Sequence, residues 1–333
     1  MKSNFDFLNR YWPALAQIGA TAETYVYSDP NACIYKLGMF AERLVQEILV
    51  FEHIAEPAVD NTHANRIRIL KRAGLLPHEI DNTLYVLRKT RNTAVHTGTD
   101  SVDEAKTLLS LTYNLAVWFM ETYGDWGYIA PEFVMPSETT HEDLESVIAE
   151  QERKIEELTK QLAVVKTAAS GKTQKERARR SESVSAMMNW NEAQTRCLID
   201  EQLRLSGWEA DTQNLRYSKG TRPVKGRNIA ISEWPTNSAF YKNGYADYAF
   251  FVGEKLVALM DAKKMSEDVA STIDVQVKDY AAHIKPEDIP HTVGNWNGYQ
   301  VPFLFASNGR AYLEQLRTKS GIWFLDVREQ ENQ

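Results

Sequence analysis

The stretch that most constrains this chain of 333 residues is 245–263, which reads Tyr-Ala-Asp-Tyr-Ala-Phe-Phe-Val-Gly-Glu-Lys-Leu-Val-Ala-Leu-Met-Asp-Ala-Lys. It predicts two adjacent β-strands joined by a turn at 253–255. Asp247 lies in the first strand, and Asp261-Ala262-Lys263 ends the second. Two carboxylates and a lysine then meet beside a hydrophobic run. This group suits a metal-dependent phosphodiesterase, because carboxylates hold Mg²⁺ and a lysine stabilises charge on phosphate. The alternative is a salt bridge between Asp261 and Lys263 at the end of a sheet.

Composition sets the broad class. The length suffices for two domains and a linker, and 43% hydrophobic with 25% charged residues is typical of a globular protein. We expect neither a signal peptide nor a membrane span, and hence a cytoplasmic protein with Cys33 and Cys197 as reduced thiols. A net charge of −7 argues against a generally basic surface, but leaves room for a local nucleic-acid-binding patch.

Residues 1–135 predict an all-α bundle, because apolar residues recur at spacings of three and four, as from Ile34 to Leu49. Within it, the segment from Arg91 to His96 resembles the R-x4-6-H signature of HEPN domains. That resemblance covers residues 25–125 and implies either a dimeric, metal-independent ribonuclease using Arg91 and His96, or an inactive relative that serves in assembly. The structural alternative is that Arg91 pairs with a carboxylate and His96 packs near a helix end.

Residues 137–180 predict a helix followed by a basic linker. Apolar positions from Leu144 to Val165 alternate gaps of four and three, as in a coiled coil that pairs with itself or with another chain. A solvated spacer helix is the alternative. The linker is basic (Lys172, Lys175, Arg177, Arg179 and Arg180), and could contact phosphates or remain solvated. Ser170-Gly171-Lys172-Thr173 resembles the end of a Walker A loop but has Lys166 where the first glycine is needed, so no ATP site is expected.

Residues 181–333 predict the order helix, strand, strand, helix, strand. With Asp247 and Asp261-Ala262-Lys263, this order resembles the PD-(D/E)xK nuclease fold, and in particular the N-terminal nuclease domain of the restriction (R) subunits of type I restriction-modification enzymes. The supporting motifs are Glu192-x-x-x-Arg196, Gly207-Trp208, Gln276-x-x-x-Tyr280 and Ser307-Asn308-Gly309. The expected fold is α+β in two domains: a HEPN-like bundle, a coiled-coil linker helix, and an α/β nuclease domain with a central mixed sheet.

The resemblance implies a role for each site residue. Asp247, Asp261 and the carbonyl of Ala262 would hold Mg²⁺, with Glu192 completing the site through a water. Lys263 would orient the attacking water or stabilise the phosphate. Gln276 and Tyr280 share a helix face and would position the other groups. A basic loop nearby would neutralise DNA phosphates without reading bases; it contains Arg216, Lys219, Arg222, Lys225 and Arg227.

The sequence therefore predicts a Mg²⁺-dependent DNA endonuclease module of a type I R subunit. The expected partners are DNA and the methyltransferase (M) and specificity (S) subunits, with self-association through the coiled coil or the helical domain and no membrane. ATP would be used only if motor domains follow in a longer chain. The alternative is a HEPN-type RNase, or an assembly or nucleic-acid-binding protein with an inactive nuclease domain.

Overall fold

The computed structural model describes residues 3–56, 60–97, 101–138, 144–159, 167–188, 190–238, 244–265, 267, 269–310 and 320–332. The chain divides into two compact units, Met1–Met188 and Asn189–Gln333. The first is helical and the second contains a mixed sheet, so the predicted α+β class is confirmed. None of the helices in the described part of the chain has the length and apolar character needed to cross a bilayer.

The first unit contains seven α-helices among its described residues. Local capping explains where several of them begin: Asp29 accepts a hydrogen bond from the Ala32 backbone at 2.9 Å, and Pro30 opens the second helix. The core is aromatic, with Phe5, Phe40, Trp118 and Phe119 fully buried. The helices are α1 (Pro13–Tyr25), α2 (Pro30–Phe51), α3 (His63–Arg72), α4 (His78–Thr97), α5 (Val102–Phe119), α6 (Leu144–Thr159) and α7 (Gln174–Met187).

Helix α6 carries the first part of the predicted coiled-coil repeat and packs against α1 of its own chain. Ile155 is buried, Gln151 lies 3.4 Å from the Thr24 hydroxyl, and Glu152 pairs with Lys36 at 2.8 Å. The repeat positions Leu162 and Val165 lie outside the described residues. Part of the predicted pairing face is therefore used inside the unit, and the coiled coil itself stays a prediction.

The basic segment predicted as a linker is helical and packed. Helix α7 begins with a capping box between Thr173 and Glu176. The Arg177 guanidinium is buried against the Glu52 carboxylate, at 2.7 Å from Nε to Oε1. Arg180 donates to the Trp126 carbonyl at 3.0 Å. Two of the five basic side chains are thus tied down by the bundle rather than free for phosphates.

The second unit is built on a six-stranded sheet whose strands lie side by side in chain order. Strands β2, β3 and β4 are antiparallel, β1 runs parallel to β2, β5 runs parallel to β4, and β6 is antiparallel to β5. The strands are β1 (Glu209–Ala210), β2 (Asn228–Pro235), β3 (Tyr245–Val252), β4 (Lys255–Ala262), β5 (Phe303–Ser307) and β6 (Ile322–Asp326).

Helical segments lie against this sheet and carry several of the side chains that the sequence predicts for the site. Helix α8 (Glu192–Leu205) contributes Ile199 to one apolar cluster. The connection from β4 to β5 contains α9 (Ala270–Thr272), a π-helical turn (Ile273–Val277) and α10 (Lys278–Ala282). Its Ile273 and Val277 contribute to the other cluster. Both faces of the central strands are buried, which explains the nearly continuous apolar runs in β3 and β4.

Candidate active site

Asp247 and Asp261 lie on neighbouring antiparallel strands, one step beyond the paired residues Tyr248 and Met260. Both are buried, at 5% and 2% exposed. Asp247 Oδ2 accepts a hydrogen bond from the Ala262 backbone at 2.7 Å. Burial raises the pKa of Asp247, and the charge of Asp261 raises it further. Two ionised carboxylates this close repel each other in a buried setting, so a cation bound there would be stabilised.

Lys263 follows β4 and lies beside this pair. Its backbone nitrogen donates to the Ser307 carbonyl at 2.8 Å, which ties the strand end to β5. Its ammonium lies 2.7 Å from Asp261 Oδ2 and donates to Gln276 Oε1 at 2.8 Å. Burial opposes its charge, but Asp261 keeps the pKa of Lys263 above its ordinary value. The side chain is 24% exposed, so the charge also reaches the cavity.

Gln276 lies in the π-helical turn and Tyr280 in the helix that follows. The Gln276 amide nitrogen donates to the Tyr280 hydroxyl at 2.7 Å and to Asp261 Oδ1 at 3.3 Å. Single π-helical turns are frequent at functional sites. The amide thus joins the lysine, the carboxylate and the phenol in one network.

These groups line one cavity of about 250 Å³. The six predicted catalytic residues all take part: Glu192, Asp247, Asp261, Lys263, Gln276 and Tyr280. Ala262 and Arg196 also line it. Residues separated by more than eighty positions in sequence are therefore brought together, although their roles remain proposals.

Two charged residues of the site were not assigned a role from the sequence. Arg196 forms an ion pair with Asp247, and donates to Glu192 at 2.7 Å. Glu233 on β2 lies 3.6 Å from Arg196 and 3.3 Å from Arg216. Arg196 stands in the quoted Glu192-x-x-x-Arg196 motif, so a signal for it existed. Glu233 had none, because its position depends on the pairing of β2 with β3.

Only some of the side chains in the predicted basic loop are available to bind phosphates. Arg216 pairs with Glu233, and Arg227 pairs with Glu209. The Arg222 guanidinium stacks on the Tyr217 ring at 3.8 Å. Lys219 and Lys225 are exposed. Phosphate binding at this loop would therefore compete with existing carboxylate contacts at two positions.

The predicted turn Ser307-Asn308-Gly309 lies at the end of β5 and forms hydrogen bonds with two other segments. The Asn308 amide donates to the Glu267 carbonyl at 2.7 Å, shortly after Lys263 in the chain. Gly309 has a φ of 75°, a conformation that glycine adopts without steric cost, and its carbonyl accepts from Gln202 of α8 at 2.8 Å. The turn therefore links the lysine-bearing segment to α8 and β5.

The donor set fits a hard divalent cation. Two carboxylates and a backbone carbonyl supply oxygen ligands, and Mg²⁺ commonly keeps several waters while binding one or two carboxylates. Across the described ranges, no group of three or more His, Cys, Asp or Glu side chains is arranged to hold a metal ion. A cation here would rely on Asp247, Asp261 and water rather than on a closed cage of side chains.

The alternative RNase residues lie in the helical unit. Arg91 pairs with Glu42 at 2.7 Å, and its guanidinium lies over the Tyr35 ring at 5.1 Å. This pairing is the structural alternative foreseen for Arg91. The side chain of His96 lies outside the described residues.

The fold and the cavity together define an α+β unit in which a buried carboxylate pair and a lysine lie at the ends of two central strands of a mixed sheet. Comparisons with known proteins find relatives among restriction endonuclease subunits. The family profile described as "Type I restriction enzyme EcoKI endonuclease subunit second domain" matches residues 209–333, which include Asp247, Asp261, Lys263, Gln276 and Tyr280.

The curated protein "Type I restriction enzyme EcoKI endonuclease subunit" of Escherichia coli (strain K12) is 29% identical over 405 aligned residues. The alignment covers 99% of this chain and 34% of that protein, so the chain spans about a third of its relative's length. No solved structure matches. The resemblance to type I restriction endonuclease subunits that the sequence predicts is therefore confirmed.

Proposed function

We propose that this chain is the N-terminal part of a type I restriction endonuclease subunit, and that its C-terminal unit hydrolyses DNA phosphodiesters with Mg²⁺. The observation that carries the proposal is the convergence of Asp247, Asp261 and Lys263 on one cavity. A salt bridge alone would need only one of these carboxylates, and would not require the second to be buried beside it.

In this proposal Asp247, Asp261 and the Ala262 carbonyl hold Mg²⁺, with Glu192 contributing through a water. The bound ion would polarise the phosphodiester and lower the pKa of its water. Lys263 donates to the attacking water or to the non-bridging phosphate oxygens, a charge-assisted contact that stabilises the developing charge. Gln276 holds the ammonium in place, because its amide oxygen accepts from Lys263 at 2.8 Å.

The helical unit would serve assembly. Its HEPN-like identity is a proposal, and so are the domain limits 1–135, 137–180 and 181–333. DNA and the methyltransferase and specificity subunits are the proposed partners. Base-specific recognition would come from the specificity subunit, since the basic loop offers charge but few groups suited to reading base edges. ATP would matter only to motor domains in a longer chain.

Plasmid nicking tests the catalytic proposal. Supercoiled DNA is incubated with the chain in Mg²⁺ or in EDTA, alone and with the methyltransferase and specificity subunits. We expect Mg²⁺-dependent nicking that falls about 100-fold or more in Lys263→Ala, the scale for loss of a charge-stabilising group. Lys264→Ala is the matched control, because that neighbouring lysine is exposed. Nicking by Lys263→Ala at the wild-type rate would overturn the assignment.

Cation binding is measured separately, so that a chain that needs further domains to cut still reports on the site. Titration calorimetry with Mg²⁺ or Ca²⁺ should show binding that Asp261→Ala abolishes. Equal binding by the wild type and Asp261→Ala, or none by either, would exclude this cavity as the metal site.

A further inference from the structure

Glu233 has an unusual backbone. It lies inside β2 yet has a φ of 55°, in the left-handed region that residues with a Cβ rarely adopt. The flanking pairs Ser232 with Tyr248 and Trp234 with Ala246 place it beside Asp247 on β3. Backbone outliers of this kind persist where the surroundings enforce them, and they cluster at functional sites.

The left-handed conformation of Glu233 changes the side of the sheet on which the next side chain packs. Ile231 and Trp234 are three positions apart but pack in the same apolar cluster, so the two-residue alternation of a strand is broken between them. If residue 233 served only to break the alternation of the strand, glycine or asparagine would suit the position better, because both adopt the left-handed region readily. A glutamate there points to a use for its carboxylate.

That carboxylate lies between two arginines. Its Oε1 is 3.6 Å from Arg196, which also pairs with Asp247 and Glu192, and its Oε2 is 3.3 Å from Arg216 of the basic loop. Arg196 Nε has no hydrogen-bond partner among the residues that the structure describes. An alternating series thus runs from the loop to the carboxylate pair: Arg216, Glu233, Arg196 and Asp247.

From this series we infer that Glu233 is a positioning residue that couples phosphate binding at Arg216 to cation binding at Asp247. The inference rests on the proposed function. A divalent cation and the Arg196 guanidinium compete for the same Asp247 carboxylate. Arg196 releases Asp247 more readily when Glu233 is available as an acceptor.

Arg216 controls that availability. In the free protein it shares Glu233 with Arg196. A DNA phosphate bound to Arg216 draws it away, Glu233 then holds Arg196 more strongly, and Asp247 becomes free for the cation. Duplex DNA and the divalent cation therefore bind with positive cooperativity, and the effect is reciprocal. The site therefore binds the cation more tightly when DNA is bound.

Calorimetry with Ca²⁺ as the probe, with and without a short blunt DNA duplex, tests this coupling. In the wild type, the duplex should tighten Ca²⁺ binding about 5-fold or more, the lower end of common coupling between sites. Glu233→Gln should bind Ca²⁺ more weakly and lose the coupling. Arg216→Gln should also lose it, but should bind Ca²⁺ more tightly than the wild type without DNA, because Glu233 is then free for Arg196.

Two further variants separate this role from a structural one. Glu233→Gly accepts the left-handed backbone without strain, so it should fold at least as stably yet lose the coupling. Glu209→Gln is the matched control: it removes the carboxylate paired with Arg227 of the same loop, and should keep wild-type coupling. If Glu233→Gln retains the coupling, or if the wild type binds Ca²⁺ without coupling, this inference is wrong and the proposed metal site stands. Absence of Ca²⁺ binding in the wild type overturns the proposed metal site as well.

Discussion

Gln276 accepts a hydrogen bond from the Lys263 ammonium at 2.8 Å, and so connects the π-helical turn to the end of β4. The same amide donates to Asp261 Oδ1 at 3.3 Å. Lysine is a flexible point charge, and an exposed lysine samples many rotamers. The two contacts made by one amide restrict both the ammonium and its carboxylate partner.

The variant Gln276→Leu keeps the approximate size of the side chain and removes all three hydrogen bonds of the amide, to Lys263, Asp261 and Tyr280. Because hydrogen bonds to charged groups contribute about 1.5–3 kcal/mol, we expect the nicking rate at saturating Mg²⁺ to fall about 10- to 100-fold. Rates measured across a Mg²⁺ series separate this loss from weakened metal binding. Val275→Ala, an exposed neighbour on the same turn, should cut normally. A normal saturated rate in Gln276→Leu would show that Lys263 needs no positioning.

Tyr280→Phe should have a smaller effect than Gln276→Leu. The phenol is an acceptor for the Gln276 amide nitrogen at 2.7 Å, but Asp261 still orients that amide once the hydroxyl is gone. A loss of about 1 kcal/mol corresponds to roughly a 5-fold fall in the nicking rate. The rate ranking of wild type, Tyr280→Phe and Gln276→Leu is measured under one set of conditions. A larger loss in Tyr280→Phe would mean that the phenol acts directly on the substrate.

Much of the candidate site could be predicted from local patterns. Asp247, Asp261 and Lys263 follow from a hairpin with strand periodicity, because antiparallel strands bring their ends together. Gln276 and Tyr280 follow from a spacing of four, which places two side chains on one helix face. The motif order then indicated one site, and the cavity that these residues line agrees with it.

The features of the site that the sequence did not predict depend on tertiary contacts. The sequence prediction placed no strand over Asn228–Pro235, although Ile229 and Ile231 alternate as in a strand. Glu233 was therefore missed, since only strand pairing and a left-handed backbone bring it to Arg196. The composition of the basic loop predicted free cations, whereas Arg216 and Arg227 are paired with glutamates. Charge counts along a sequence do not reveal which charges the fold neutralises.

Asp200 should make the stability of the C-terminal unit depend on pH. It is buried and accepts hydrogen bonds from the Thr212 backbone at 2.7 Å and the Tyr248 hydroxyl at 2.9 Å. Burial raises the pKa of Asp200 to about 6. Because the folded pKa exceeds the unfolded one, its contribution is fully present below about pH 4 and is lost as pH rises through about 6.

The test compares the wild type with Asp200→Asn, which keeps a polar side chain without the charge. Relative to the wild type, Asp200→Asn should gain on the order of 3 kcal/mol of unfolding free energy between pH 4 and pH 7, at 1.36 kcal/mol per pKa unit. Urea unfolding followed by tryptophan fluorescence measures the difference, in which other titrating groups cancel. A difference that stays constant with pH would show that Asp200 ionises normally in the folded protein.

The Glu52–Arg177 pair should stabilise the helical unit by joining α7 to the end of α2. Both side chains are buried, and Arg177 also donates to the Lys172 carbonyl. Removing one partner leaves the other charge buried without compensation, so Glu52→Gln should cost about 3–5 kcal/mol. The double variant Glu52→Leu with Arg177→Met should recover most of this loss, because it removes both charges. Thermal unfolding of the wild type, Glu52→Leu, Arg177→Met and the double variant gives the coupling energy.

Arg179→Ala is the control for that series, since this arginine lies on α7 but is exposed. It should leave the unfolding temperature nearly unchanged. If the basic segment acted chiefly on phosphates, Arg177→Met and Arg179→Ala would weaken DNA binding similarly, and neither would destabilise the fold. The buried ion pair predicts the opposite separation: a large loss of stability for Arg177→Met, and little for Arg179→Ala.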